Sequence, residues 1–384
     1  MLKTDLKIYQ NNKLDVVRDL LAPYTNRAYL VGGCVRDALL GRAVSDYDIE
    51  VYDINPQKFD TLMSEYGANG VGKSYFIYKF KNFDLGLPRS ENRTGLTHKD
   101  FDVSYINEPR QACLRRDFSV NAMMINIFNG EFLDFFGGVG DLENRVLMHI
   151  DDKKFCEDPL RVLRGVQFSS RLGFYIAPKT LELMNGLSLA HLSKDRINTE
   201  LIKFFRAKHL YIGARYLYEL GLLGELFGKF VDGKFAPLLI PQDEFDKFNN
   251  ELKNAREFVA DERLFIYLIC GYFCLDVELN LNRLKMPKSF LSVVKQPYFK
   301  DEPSDKELLR IALKMPLKEW LGLKSKELIK RAKNLGVYDT KFDAKTNTQE
   351  ILKAGFSGKA VGVEIARRQD IAIDKFLNLQ LKTC

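Results

Sequence analysis

Cysteine is sparse in this chain. Six residues, at positions 34, 113, 156, 270, 274 and 384, are scattered through 384, a spacing that makes neither a disulfide framework nor a zinc pattern. Cys270 and Cys274 fall in the apolar run LFIYLICGYFCL, where buried thiols are expected. Histidine is limited to four positions, 98, 149, 191 and 209, none adjacent to an aspartate. No stretch approaches the ~18 uninterrupted apolar residues of a membrane-spanning helix, and the opening MLKTDLKIYQNNK lacks the apolar core of a secretory signal. A cytoplasmic protein without membrane contact is therefore expected. Low-complexity tracts and a clear internal repeat are also missing.

What remains is the composition of an ordinary globular protein, 46% hydrophobic and 28% charged, long enough for two to four packed regions. The net charge of +7 is unevenly spread. Residues 281–384 hold 22 Lys and Arg against 12 Asp and Glu, a net of +10, which leaves 36 against 39, or −3, for residues 1–280. A basic C-terminal third on a near-neutral body suits a polyanionic partner, although Lys-rich helices also serve simply to solvate a surface.

The pattern of elements changes near residue 150. Before it, short β-like runs (AYLVGG, DYDIEVY, FIYKFKNFDLGL, VNAMMINIF, EFLDFFG) alternate with helical candidates such as LDVVRDLLAPY and CVRDALLG, which predicts a compact α/β region. After it, apolar residues recur at helical spacing in PLRVLRGVQFSSRLGF, RINTELIKFFRAKHLYIGARYLYELG and KELLRIALKMP, and the remainder is expected to be all-α. Turn-rich breaks at residues 228–237 and 295–305 subdivide the helical part.

Asp46 and Asp48 lie in SDYDIEVY, and the two-residue period of a strand puts both side chains on one face. Paired carboxylates attract a hard cation, and Mg²⁺ prefers carboxylate and phosphate oxygens; such ions stabilise both the attacking and the leaving oxygen of an in-line phosphoryl displacement. Taken alone, a D-x-D is more often a solvated acidic face. Just upstream, however, YLVGGCVRD runs from a strand through Gly32 and Gly33 into a helix, where unhindered backbone N–H groups can receive a triphosphate. It matches neither G-x-G-x-x-G nor a Walker loop.

Together with LVGGCVRDALLG and SDYDIEVY, the runs FDLGLPRSENRTG, RRDFSVNAM, DFFGGVGDL, EDPLRVLRGVQFSSRLGF and YLYELGLLGELF resemble the class II tRNA nucleotidyltransferases and bacterial poly(A) polymerases of the polymerase β superfamily. The resemblance extends from about residue 28 to residue 230, with a weaker echo in GKAVGVEIARRQDIAI. It implies an α/β nucleotidyltransferase head with a mixed or antiparallel sheet over residues 1–147, holding metal and triphosphate. A helical neck (148–212) for base recognition, a helical body (213–298) and a basic helical tail (299–384) gripping tRNA would follow. It also implies a third acid, matched by Asp84, to help deprotonate the tRNA 3′-hydroxyl. Arg36 is implied as a phosphate contact, with Asp37 beside it complementing the helix start or orienting a neighbour. In RRDFSVNAM, Arg116 is the preferred nucleotide contact, Asn121 suits a sugar hydroxyl, and Asp117 either joins them or, buried among arginines, fixes their geometry.

Polymerases of this kind choose bases without a template, and the family uses E-D-x-x-R to do so, here Glu157, Asp158 and Arg161. A carboxylate only accepts, so Asp158 can pair with the exocyclic amine of C or A; the Arg161 fork only donates, so it satisfies N3 and O2 of C or N1 of A. U and G would set acceptor against acceptor, at about 1–3 kcal/mol for each unpaired group. Glu157 is placed to orient the Arg161 fork, and Arg164, one turn on, is a further nucleotide contact or a solvent-facing charge. Pro159 also makes Asp158 a natural N-cap, a role that competes with base reading.

The chain departs from many relatives at Gln167, where they carry Arg, and in Ser193-Lys194-Asp195-Arg196-Ile197, where they carry Ser-x-Glu-Arg-Ile. The family contains CCA-adding, CC-adding and A-adding enzymes and poly(A) polymerases. The polar segment from Pro88 to Asp100 looks like the intact head loop that A addition needs, which disfavours CC-only activity. The histidines give no His-Asp phosphohydrolase module. The resulting expectation is Mg²⁺-dependent addition of CCA to tRNA from CTP and ATP, with A-only addition or poly(A) synthesis as alternatives. A non-catalytic RNA-binding protein on the same fold would lack Asp46 or Asp48, and a small-molecule nucleotidylating enzyme would lack E-D-x-x-R and the basic tail.

Overall fold

The computed structural model describes residues 6–72, 77–93 and 101–381. The chain divides into two compact units, Met1–Glu200 and Leu201–Cys384. Among the described residues, no helix is long and apolar enough to cross a membrane.

The first unit is built on a seven-stranded mixed sheet. Its strands are β1 (Ala28–Val31), β2 (Tyr47–Val51), β3 (Asn69–Gly72), β4 (Ile77–Phe80) and β5 (Phe83–Gly86), while β6 (Arg89–Arg93) and β7 (Phe101–Tyr105) form a separate antiparallel ribbon. With β8 (Met124–Asn126) and β9 (Phe132–Leu133), the sheet runs in the order β3-β4-β5-β2-β1-β8-β9. All neighbours are antiparallel except β2 and β5. That parallel pair sets Tyr47 opposite Phe83, Asp48 opposite Asp84 and Ile49 opposite Leu85.

Strand alternation then sorts the side chains. Ala28, Leu30, Tyr47, Ile49, Val51 and Leu85 are buried on one face. Asp48, Glu50 and Asp84 project from the other, next to Tyr29 and Val31 and their apolar neighbours Ala112, Ala122 and Met124. One face is thus wholly core and the other carries acids at the edge of a core.

Helices α1 (Asp15–Leu21), α2 (Gly33–Leu39), α3 (Pro56–Glu65), α4 (Pro109–Cys113) and α5 (Gly138–Asn144) accompany the sheet. They are followed by α6 (Asp152–Glu157), α7 (Leu160–Leu172), α8 (Pro178–Asn185) and α9 (Lys194–Phe205). Asn55 caps α3 on the Lys58 amide with Pro56 next, the arrangement that fixes a helix start. Gly173, with φ of +76°, ends α7 in the left-handed conformation. A two-stranded parallel pairing of β10 (Val146–Leu147) with β11 (Tyr175–Ile176) ties the end of α7 back to the residues after α5.

The second unit has helices α10 (Leu210–Glu219), α11 (Leu222–Leu226), α12 (Gln242–Arg256), α13 (Leu264–Tyr272) and α14 (Val277–Leu284), then α15 (Asp305–Ala312), α16 (Lys326–Asn334), α17 (Thr348–Lys353) and α18 (Lys359–Leu381). Helix α13 is apolar nearly all round, as a helix surrounded by others must be. Ser304 and Glu307 form a reciprocal capping box that starts α15.

The expectation of an all-α remainder needs correction at residues 228–237. They form a β-hairpin, β12 (Gly228–Val231) with β13 (Lys234–Pro237), around Asp232 and Gly233, both at positive φ (49° and 74°). An Asp-Gly pair between apolar runs is a two-residue hairpin signal, so the break was a turn between strands. The segment from Pro88 to Asp100, expected as a loop, begins as strand β6; residues 94–100 lie outside the described residues. Cys270 is buried as expected, but Cys274 is exposed.

Candidate active site

A cleft of about 590 Å³ in the first unit gathers most of the expected residues. Gly32, Gly33, Arg36, Asp46, Asp48, Arg116, Asn121, Asp158, Arg161 and Arg164 all line it. Asp84 borders an adjoining cavity, whose wall it shares with Asp48 and Arg116. Glu157 lines neither.

At the carboxylate end, Asp46 immediately precedes β2 and Asp48 lies within it. Asp46 accepts from the Ser45 hydroxyl at 3.1 Å and is exposed. Asp48 opens onto the cleft, yet the cleft walls strip it of water and raise its pKa. Arg116 opposes that shift, while the like charges of Asp84, Asp46 and Glu50 add to it. Asp84 is half-buried, with Lys79 at 3.8 Å. Among the described residues there is no cluster of three or more His, Cys, Asp or Glu arranged to hold a metal alone. A hard-oxygen pair that repels itself, with neither carboxylate of Asp46 and Asp48 claimed by an arginine or lysine within 4 Å among the described residues, fits an ion such as Mg²⁺. That ion commonly takes one or two protein carboxylates and completes its shell with water and substrate phosphate.

Gly32 turns the chain from β1 into α2 at φ of +72° and ψ of −132°, a region open to glycine. A Cβ there would come within 3.2 Å of the Arg116 guanidinium and 3.7 Å of an Asp48 oxygen. The backbone therefore approaches the carboxylate end as closely as a missing side chain permits.

The arginines are held by a chain of buried partners. Glu50, 3% exposed, accepts from Arg115 and, at 2.8 Å, from Arg116, and also from the Tyr52 hydroxyl at 3.0 Å. Burial works against its charge, but the two guanidiniums prevail and hold its pKa down at about 2. Glu50 is a site residue that the sequence reading missed, though it continues the alternation Asp46, Asp48, Glu50 on the same face.

Asn121 accepts from Arg36 at 2.5 Å and donates to Asp117 at 3.1 Å, which fixes the orientation of its amide at the cleft wall. Asp117, buried, accepts from Arg164 at 2.6 Å and from the Phe118 amide, the geometry-fixing role foreseen as one of its two readings. Its pKa is lowered against the effect of burial, by Arg164, Asn121 and Arg161. Arg36 also grips Asp37 through two nitrogens at 3.0 Å each.

At the far end, Asp158 divides its oxygens between two partners. Oδ1 accepts from the Leu160 amide at 3.2 Å, at the start of α7, where the residue at the cap position is Pro159 and not Asp158, and Oδ2 accepts from Arg196 at 2.8 Å. Arg161 donates to the Arg115 carbonyl at 2.6 Å. Glu157 accepts from Lys154 at 3.1 and 3.3 Å, a partner one helical turn back that the reading of Glu157 as a support for Arg161 did not include. Its charge still favours ionised Arg161, the pKa of which burial lowers. Gln167 is buried and accepts from Arg171 at 3.3 Å, and Arg171 and Arg196 join the cleft lining as residues not singled out beforehand for nucleotide contact.

The fold is a head of mixed sheet and helices that carries the cleft, followed by helical regions. Residues 28–148 match the family described as Poly A polymerase head domain, and residues 173–232 match the family described as Probable RNA and SrmB-binding site of polymerase A. The chain is 37% identical over 227 residues to the Multifunctional CCA protein of Actinobacillus pleuropneumoniae serotype 5b (strain L20), covering 56% of this chain and 53% of that one. With the Multifunctional CCA protein of Xylella fastidiosa (strain M23) it shares 40% identity over 188 residues, 46% of this chain and 44% of that one. The chain spans about half the length of these curated relatives.

Among solved structures, the Bacillus stearothermophilus CCA-adding enzyme in complex with CTP superposes with a TM-score of 0.63 at 20% identity, over 97% of this chain and 100% of that one. A CCA-adding enzyme in apo form II gives 0.67 at 19% identity, over 100% and 97%. At such identities the likeness is one of fold.

Proposed function

We propose that this chain adds C, C and then A to the 3′ end of tRNA, using CTP and ATP without a template. The observation that carries this reading is a single cleft that joins an unclaimed carboxylate pair, a glycine turn and a row of arginines to the Asp158 and Arg161 pair. The names of the relatives and of the structural neighbours agree with it.

Asp46 and Asp48 would hold Mg²⁺, which when bound stabilises charge on the attacking and leaving oxygens of phosphoryl transfer. Asp84, opposite Asp48 in the strand register, accepts the proton of the RNA 3′-hydroxyl at its carboxylate. Gly32 and Gly33 leave room for phosphate oxygens beside Arg116, whose own charge Glu50 keeps fixed in place. Arg36 and Arg164 serve the same anion, each pre-set by a carboxylate.

Asp158 reads the exocyclic amine of C or A. Its two oxygens each retain a lone pair after the Leu160 amide and Arg196 are served. Arg161, tethered at one nitrogen to the Arg115 carbonyl, presents the rest of its fork to the base. U and G place a carbonyl oxygen against the carboxylate and are refused. The basic residues 299–384 are assigned to tRNA binding.

The test offers purified protein three tRNAs, ending at the discriminator base, at C and at CC, with each labelled nucleotide and Mg²⁺. Completion of all three to CCA supports the reading. Addition of A alone to the CC end makes this an A-adding enzyme, long A tails on any RNA make it a poly(A) polymerase, and no addition to any RNA overturns the proposal.

A further inference from the structure

The cleft contains seven arginines, and their partners divide them. Arg36, Arg115, Arg116, Arg164 and Arg196 each have a carboxylate within 4 Å. Among the described residues, Arg161 and Arg171 hydrogen-bond to neutral acceptors, the Arg115 carbonyl and the Gln167 amide oxygen. Arg161 is accounted for as a base reader. Arg171 is not accounted for.

Its surroundings call for an anion. Phe168, buried in the cleft wall, is faced by three guanidiniums, those of Arg164 at 5.2 Å, Arg36 at 5.4 Å and Arg171 at 5.8 Å from the ring centre. Burial lowers the pKa of Arg171, and so does the nearby charge of Arg36; Asp37 and Glu200 oppose the effect, and Arg42 adds to it. A cation beside other cations, open to the cleft and tied among the described residues to a neutral amide, is held ready for negative charge from outside the protein. Gln167 supplies the tie. It is 1% exposed and sits one helical turn before Arg171, so its oxygen aims the arginine without neutralising it. A carboxylate there would cancel the charge, and an arginine would repel it.

We propose that Arg171 binds the terminal phosphate of the incoming nucleoside triphosphate, positioned by Gln167. The inference rests on the nucleotide-binding reading of the cleft. The ligand chemistry is phosphate oxygen, which an RNA phosphodiester also offers. The terminal phosphate is favoured because, of the three guanidiniums around the Phe168 ring, Arg171 has no carboxylate within 4 Å among the described residues, and a group of charge about −2 answers that surplus better than a diester of about −1. Arg36, which shares the ring with Arg171, also belongs to the helix that begins at the Gly32–Gly33 turn. A triphosphate laid along that turn leads from Asp48 toward Phe168.

The experiment measures binding of CTP, CDP and CMP, in Mg²⁺ buffer without RNA, to wild type, Arg171→Ala, Arg171→Lys and Gln167→Leu. Wild type is expected to prefer CTP over CMP. Arg171→Ala should weaken CTP by roughly 10- to 100-fold, the range of a charged hydrogen bond, and leave CMP unchanged. The lysine variant should recover part of the loss and Gln167→Leu should show a smaller one. Equal losses for CTP and CMP, an unchanged CTP affinity in Arg171→Ala, or a defect confined to the KM for tRNA, which marks a phosphodiester contact, would each overturn the inference. Absence of any triphosphate preference in wild type would instead remove the underlying reading of the cleft.

Discussion

The two units bury different things. In the first, the residues taken from water around the cleft include Glu50, Asp117, Arg36 and Asn121, each satisfied by a named partner. In the second, the interior is aromatic: Phe265 meets Phe204 at 4.9 Å, Phe205 at 5.4 Å, Phe227 at 5.8 Å and Phe248 at 6.2 Å between ring centres, and ion pairs such as Arg310 with Asp370 stay at the surface. Buried charge is a costly way to hold a structure together, since hydrophobic replacements of equal volume are often as stable. Its presence in the first unit marks where geometry has been given precedence over stability, and its rarity in the second marks a scaffold.

The largest effect expected from breaking that contrast is at Asp48. Asp48→Ala should lower turnover by ~10³-fold or more with the fold intact, since the proposed function puts the lost group at the reacting centre; single-turnover rates and a thermal melt check both parts. Because the Asp48 carboxyl is raised and only its ionised form binds a cation, the acid limb of the pH–rate profile should lie above the ordinary aspartate range. Raising Mg²⁺ should move that limb to lower pH.

Next comes a paired comparison. Glu50→Gln strands two buried guanidiniums and should cost about 3–5 kcal/mol; Phe265→Ala opens a cavity and should cost about 3–5 kcal/mol as well. Denaturant titration should find the two alike, whereas CTP affinity should fall only for Glu50→Gln. Glu50 also sets a pH dependence. Its folded pKa of about 2 lies below the ordinary glutamate value of ~4.3, so the unfolded chain binds the proton more readily between those values. Its contribution is complete above that window and is lost as pH falls through it. In Glu50→Gln, that portion of the acid unfolding curve should flatten.

A smaller change is expected from Arg196→Ala. With Oδ2 of Asp158 released, discrimination of CTP over UTP should drop by roughly tenfold while CTP turnover changes less; an unaltered ratio would mean that Arg196 does not position the base reader. Smallest of all is Arg310→Ala, where loss of an exposed pair should shift stability by about 0–1 kcal/mol. A larger shift, seen by thermal melting, would mean that the second unit relies on its surface charges after all.

How much of this was legible in the sequence depends on distance along the chain. Asp46 and Asp48 were readable because a strand repeats every two residues, and the same rule carried on to Glu50, where it was not followed. The Gly32 turn was local and legible in the same way, as was the Asp-Gly hairpin at 232–233, read as a break because its flanking strands are short. The pairing of Asp48 with Asp84 was supplied by resemblance; a parallel register is set by the whole sheet. Arg196 reaches Asp158 across 38 residues, and no periodicity connects them. Arg171 went unnoticed because a single basic residue at a helix end reads as a solvated charge, and only comparison with its neighbours shows that its partner among the described residues is a neutral amide and not a carboxylate.

Gly32 has a consequence for how this molecule can change. Most of the cleft tolerates exchange in principle, because a side chain can be traded for another with a compensating partner. At residue 32 the contribution is an empty volume and a backbone angle at once, bounded by Arg116 on one side and Asp48 on the other. No compensating neighbour can restore both. In a library of variants selected for altered nucleotide choice, diversity should accumulate around Asp158 while this position stays invariant.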